Sequence, residues 1–290
     1  MDVGLSVYDI TGGELVALGA AAEQAGFSTL WLGEHVVLPV DYGAEHPTTG
    51  STANRSHLKR IVDPATKLLD PLVALGAVAA VTDRIRLATG IYLVGLRHPL
   101  AVARMTLTLQ DVAGGRFMLG VGSGWLEEEF TALGVPFSER RTRFEEALAV
   151  LRAAWGGGEI SFTGDHVAFE HVVVTTEPVH VPLVLGGNTE PALRRAAATA
   201  DGWFSSGNPT LDEAVRLRDR LAELAAEVGR ESTLPVYVRM SGRDRTELAR
   251  YEQHRFEHVT VWADQLWPQH GSLAEKQERF AAAAAELLER

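Results

Sequence analysis

Short, continuous apolar runs alternate along the whole chain with longer stretches in which apolar residues recur every three or four positions. The runs fall at 3–8, 29–33, 85–94, 117–122, 183–185, 202–204, 236–238 and 259–262. Most are β-branched or aliphatic throughout rather than alternating with polar residues, the pattern of parallel strands covered on both faces. Helical patterns follow at 14–25, 71–81, 100–112, 138–155, 190–199, 211–228, 244–255 and 274–288, several of them behind cap or turn residues such as Asp70-Pro71 and Ser138. Eight strand–helix units in series predict an α/β fold, a (β/α)8 TIM barrel, as one domain over residues 1–290. The rival, an open doubly wound sheet, calls for a glycine fingerprint after the first strand, and Asp9-Ile10-Thr11-Gly12-Gly13 is not one.

Two segments interrupt the alternation. Residues 36–69 form a long polar loop after the second strand. Residues 159–180 alternate apolar and polar positions around a turn signal at Gly164-Asp165, which predicts a β-hairpin inserted before the fifth barrel strand. Composition narrows the function. The 290 residues include no cysteine, which excludes disulfides, thiolate metal sites and a cysteine nucleophile. The net charge of −11 disfavours nucleic acid and anionic membranes as partners. No apolar run is long enough for a membrane span and MDVGLSVYDI does not read as a signal peptide, so the expectation is a soluble, cytoplasmic protein acting on a small molecule, with a homodimer left open.

In a barrel of this kind chemistry sits at the C-terminal ends of the strands. Glu34-His35 closes the second strand and so falls on that face; histidine is suited to proton transfer near neutral pH, although it could equally cap the strand. Thr89-Gly90-Ile91 puts a glycine inside a strand, the mark of a bulge, a close approach by a ligand, or packing room for a neighbour. Gly122-Ser123-Gly124 follows the fourth strand and Gly186-Gly187-Asn188 the fifth, the latter just before a helix, where backbone N–H groups can meet an anion. Neither matches a Rossmann or P-loop signature, and either could be an ordinary turn. His254-Arg255-Phe256-Glu257-His258 has the spacing of an inverted zinc-protease motif but straddles a helix end and a strand start, so a solvated junction and no metal are expected.

Taken together, AGFSTLWLGEH (25–35), TDRIRLATGIYLVGLRHPL (82–100), QDVAGGRFMLGVGSGWLEEEFTALGVPFSERRTRFEE (110–146), LVLGGN and DGWF resemble the bacterial luciferase-like family of flavin and deazaflavin enzymes, most of all its F420-dependent oxidoreductase branch. The resemblance covers nearly the whole chain. It implies the barrel, a ring system lying across its C-terminal mouth, and a non-prolyl cis peptide at Gly90-Ile91. It further implies that Glu34, Thr89, Gly90, Ile91, Gly122, Ser123, Gly124, Gly186, Gly187 and Asn188 hold the cofactor. Glu34 stands where many F420 relatives carry aspartate. Arg55, Lys59, Arg60 and Lys67 of the long loop are candidates to hold an anionic tail. The activity implied is hydride transfer between C5 of F420 and a small organic substrate, with His35 as the catalytic residue that assists proton transfer. The alternatives are an FMN-dependent luciferase-like monooxygenase and a non-catalytic flavin-binding barrel.

Overall fold

The computed structural model describes residues 1–43 and 63–288. The elements in chain order are β1 (Asp2–Val7), α1 (Gly12–Ala25), β2 (Thr29–Leu32), α2 (Pro71–Ala79), β3 (Arg86–Thr89), α3 (Pro99–Val112), β4 (Phe117–Val121), α4 (Glu127–Ala132), α5 (Arg140–Trp155), β5 (Glu159–Thr163), β6 (Ala168–Val173), β7 (Leu183–Gly186), α6 (Glu190–Thr199), β8 (Gly202–Phe204), α7 (Leu211–Glu227), β9 (Val236–Arg239), α8 (Arg245–Gln253), β10 (His258–Trp262) and α9 (Leu273–Leu288). Parallel pairing in the order β1-β10-β9-β8-β7-β4-β3-β2 closes a barrel, as the sequence predicts. The inserted hairpin is also present: β5 pairs antiparallel with β6 through Ile160–Val172 and Phe162–Phe169, and the Gly164 N–H closes the turn on the Val167 carbonyl at 2.9 Å.

Two packed layers hold the barrel. Its interior is plugged by Trp31, Ala88, Met118, Val184, Phe204 and Tyr237, with the Trp31 and Phe204 rings stacked at 4.5 Å. Around the strands lies a continuous shell of Leu, Val, Ala and Phe side chains that the helices cover. The helices start where local chemistry satisfies their first N–H groups. Asp70 accepts from Leu72 and Val73 N–H ahead of Pro71, and Thr210 and Glu213 bond each other's backbone reciprocally at the head of α7.

Three expectations need correction. The third strand does not run to residue 94; β3 ends at Thr89, the Gly90-Ile91 peptide is cis, and only Tyr92 rejoins the sheet, as a single bridge to Val121. The reason lies in where the next donor goes: the Leu93 N–H bonds the Glu34 carboxylate at 2.7 Å instead of continuing the ladder. Helix α4 was not foreseen. Helix α5 begins at Arg140, because Phe137–Glu139 form a 3-10 turn. The His254–His258 segment does straddle the end of α8 at Gln253 and the start of β10, but it is not a simply solvated junction: the His258 side chain is only 17% exposed, stacked on Tyr237 and 3.3 Å from Asp2. Among the described residues no cluster could hold a metal ion, and no helix is long and apolar enough to cross a membrane.

Candidate active site

The loops after β2, β3, β4 and β7 meet at the C-terminal mouth. His35 stands just past β2, with only 9% of its side chain exposed. Its Nδ1 lies 2.8 Å from Glu129 Oε2, and its ring is walled edge-on by Tyr8 at 6.2 Å and Trp125 at 6.0 Å. Glu129 comes from α4, which reaches across from the far side of the β4 loop. There Glu128 also accepts the Gly43 N–H at 2.6 Å, so the short helix clamps the chain that leaves β2. Glu34, the residue before His35, has partners of its own. Its carboxylate is buried, accepting the Leu93 N–H and, at 2.5 Å, a guanidinium N–H of Arg97. Burial pushes its pKa up, against the pull of Arg97 and of the Leu93 N–H. Arg97 in turn lies over the Tyr92 ring at 4.3 Å. Glu34 therefore ties β2 to the loop after β3.

Thr89 is wholly buried and donates its hydroxyl to the Gly120 carbonyl at 2.7 Å. Gly90 and Ile91 are partly exposed at the mouth. A Cβ on Gly90 would point inward at Trp31, 3.3 Å from its Cβ, so the direction in which a larger side chain would grow is the barrel interior. The Ile91 side chain occupies the space over Gly122 and Gly186; a Cβ on Gly122 would collide with Ile91 Cδ1, and one on Gly186 would approach Ile91 Cγ2 to 3.1 Å. Asn188 is locked to Ser206 by two hydrogen bonds of 2.9 and 2.8 Å, and the Gly187 carbonyl accepts the Trp203 indole N–H at 2.8 Å. These contacts tie the β7 loop to β8 and to the segment that follows it.

Between the β4 and β7 loops opens a cavity of about 900 Å³, lined by Gly122, Ser123, Gly124, Gly186, Gly187 and Asn188. The structure thus gathers the six loop residues singled out in the sequence onto one wall. The charged residues of the cavity were not anticipated. Arg140, Arg141 and Arg216, from α5 and α7, line the cavity together with Glu127, Glu190 and Glu213, and none of these three arginines makes an ion pair with a described residue. By contrast Arg195 pairs with Glu145 and Arg220 with Glu190. Arg140 is held over the Phe137 ring at 3.9 Å and donates to the Phe137 carbonyl; burial and the adjacent Arg141 charge lower its pKa, against Glu127. Two like charges side by side, in a chain of net charge −11, are stabilised by an anion between them. A further cation, Arg239 at the end of β9, is buried between Phe204 and Trp262 and donates to Ser6 Oγ at 3.1 Å.

Arg55, Lys59 and Arg60 lie outside the described residues. Lys67 lines a separate cavity of about 210 Å³ beside Tyr8, Trp262 and Lys276, between β1 and β10.

The family model for luciferase-like monooxygenases matches residues 3–290. The chain belongs to the luciferase-like monooxygenase family. An uncharacterized protein of Mycobacterium tuberculosis is 37% identical over 243 residues, covering 82% of this chain and 83% of the relative. The F420-dependent glucose-6-phosphate dehydrogenase of Beutenbergia cavernae is 32% identical over 223 residues, 75% of this chain and 60% of that one. Among solved structures the monooxygenase RslO1 of Streptomyces bottropensis superposes with a TM-score of 0.71 at 20% identity, covering 100% of this chain and 99% of its own, which shows the common luciferase-like barrel.

Proposed function

We propose that this luciferase-like barrel is an F420-dependent oxidoreductase that moves a hydride between the deazaflavin and a small organic substrate. The observation that carries the reading is the wall of Arg140, Arg141 and Arg216 on the cavity that runs outward from the β4 and β7 loops. FMN presents one phosphate at the end of a short chain, whereas F420 carries several anionic groups along a longer tail. Arg140, Arg141 and Arg216, spread over two helices and in no ion pair with a described residue, suit the second arrangement, although Glu127, Glu190 and Glu213 line the same cavity. The likeness to the F420-dependent enzyme of Beutenbergia cavernae supports the same choice.

The residues of the mouth fit such a group. Gly122, Gly124, Gly186 and Gly187 bring backbone to the cavity, Ser123 and Asn188 add polar side chains, and Arg140, Arg141 and Arg216 line the same space. When bound, the cofactor supplies the hydride chemistry, and the protein supplies orientation, exclusion of water and proton transfer. His35 stands at the edge of the mouth, sheltered by Tyr8 and Trp125, where an imidazole can exchange the proton that accompanies hydride transfer. Fluorescence titration of the purified chain tests the cofactor. F420 is expected to bind at least about tenfold more tightly than FMN, roughly 1.4 kcal/mol. Equal or reversed affinities overturn the assignment in favour of an FMN-dependent monooxygenase, and binding without turnover of any acceptor by reduced F420 would leave a cofactor-binding barrel.

A further inference from the structure

The two oxygens of the Glu129 carboxylate have different partners. Oε1 accepts the Val36 N–H at 2.5 Å and lies 3.4 Å from the Val37 N–H. Oε2 meets His35 Nδ1 at 2.8 Å. The carboxylate is 1% exposed, so water does not compete for either oxygen. A backbone N–H can only donate and a carboxylate oxygen can only accept; a neutral His35 must therefore carry its hydrogen on Nδ1. Nε2, across the ring, keeps its lone pair and has no hydrogen-bond partner among the described residues.

We propose that Glu129 is the positioning residue of this site: it fixes His35 as the Nδ1–H tautomer and leaves Nε2 as the atom that takes or gives the proton. The proposal rests on the reading of His35 as proton carrier. A bound cofactor would supply the hydride acceptor; in the direction of substrate oxidation His35 takes the substrate O–H proton on Nε2. The imidazolium so formed is balanced by the carboxylate on Nδ1, and the reverse direction returns the same proton from Nε2. Glu129 itself neither gains nor loses a proton.

The substitution Glu129→Gln separates this role from simple packing, because it changes one atom. The amide oxygen has to stay on Val36 and Val37 N–H, since an amide nitrogen there would set donor against donor. That turns the amide NH2 onto His35 Nδ1, which can then only accept, and moves the ring hydrogen to Nε2. The test is ¹⁵N NMR of histidine-labelled full-length protein without ligand, at alkaline pH where the ring is neutral, with the His35 signal assigned by its loss in His35→Gln. The wild-type chain is expected to show protonated Nδ1 and bare Nε2, and Glu129→Gln the opposite. Protonated Nε2 in the wild-type protein overturns the proposal even where the variant fails to fold, and an unchanged tautomer in a folded Glu129→Gln overturns it as well. Turnover gives a second reading. Glu129→Gln should lower kcat by about the 10²–10⁴-fold of lost acid–base help, yet have no further effect in a His35→Ala background. Losses that multiply mean that Glu129 does not act through His35. Wild-type turnover in His35→Ala alone sinks the proton-carrier reading instead, so the two failures are told apart.

Discussion

Thr89 and Gly120 are bound face to face across β3 and β4: the threonine hydroxyl donates to the Gly120 carbonyl at 2.7 Å, and any Cβ on Gly120 would be driven into the Thr89 carbonyl oxygen. The contact is backbone against side chain with no flexible end to give way. Gly120→Ala is therefore expected to destabilise the fold by about 3 kcal/mol, the upper part of the range for overpacked cores. At Gly122 the added methyl would collide with Ile91 Cδ1, the far end of a side chain that can turn, and would reach only ordinary contact with its Cγ1. Gly122→Ala should cost about 1 kcal/mol or less. Urea unfolding of both variants gives the comparison, and equal midpoints would show that the β3–β4 approach relaxes more freely than this geometry allows.

The Glu34–Arg97 pair predicts a pH-dependent loss. The Glu34 side chain is 1% exposed and the Arg97 side chain 20%, so removing the guanidinium strands a carboxylate in a nearly dry site. Arg97→Leu is expected to cost about 3–5 kcal/mol at neutral pH. Burial already raises the Glu34 pKa, and loss of Arg97 drives it higher still. A carboxyl raised above its unfolded value destabilises the fold while ionised, above its folded pKa, and the penalty is relieved as pH falls through that pKa. The deficit of Arg97→Leu relative to wild type should thus be larger at neutral pH than in acid and shrink on acidification. A deficit that does not change with pH would place the cost in lost packing over Tyr92 rather than in charge.

The barrel strands and the hairpin were legible because each signal is local: continuous apolar runs for buried parallel strands, and alternation around Gly164-Asp165 for the hairpin. Residues 90–94 misled because Ile91-Tyr92-Leu93-Val94 is as apolar as any strand, and nothing nearby in sequence shows that Leu93 gives its N–H to Glu34. His35 was placed correctly at the mouth by the barrel rule, but its partner was not. Glu129 is the third of three consecutive glutamates on a six-residue helix too short to display a period, and only the fold shows that it alone of the three is fully buried. The same holds for Arg140 and Arg141, which read as the polar start of an amphipathic helix. What puts them on a cavity is the packing of α5 beside the β4 loop, a relationship between distant segments.

The arginine wall can be tested one residue at a time, and burial sets the expected sizes. Arg140 is half-buried and braced on Phe137, so a charge-assisted bond from it to an anion is worth about 1.5 kcal/mol; Arg140→Gln should weaken F420 binding about tenfold. Arg141 and Arg216 are exposed, and pairs made there are worth about 1 kcal/mol at most. Arg141→Gln and Arg216→Gln should each cost about fivefold or less, and that loss should fade in high salt as screening removes what the charge contributed. FMN affinity should change less in all three variants. Losses of equal size for both cofactors would mean that the wall holds only a group the two share.

His35→Ala is the variant on which the reading of the mouth turns. The imidazole sits past the end of β2, buried between Tyr8 and Trp125, with Nδ1 engaged by Glu129. Proton transfer by a placed side chain is typically worth 10²–10⁴-fold, and kcat is expected to fall by about that factor. Cofactor affinity should move much less, because the loop residues and the arginines that line the cavity do not include His35. The fold should survive, although Glu129 loses a partner on Oε2 while keeping Val36 and Val37 on Oε1. An active acceptor has to be found first, so reduced F420 is run against a panel of enones, quinones and nitroaromatics with the wild-type chain. Turnover and cofactor Kd are then measured side by side for wild type and variant. Wild-type turnover in the variant removes His35 from the chemistry, and a variant that no longer binds F420 makes it a binding residue rather than a proton carrier.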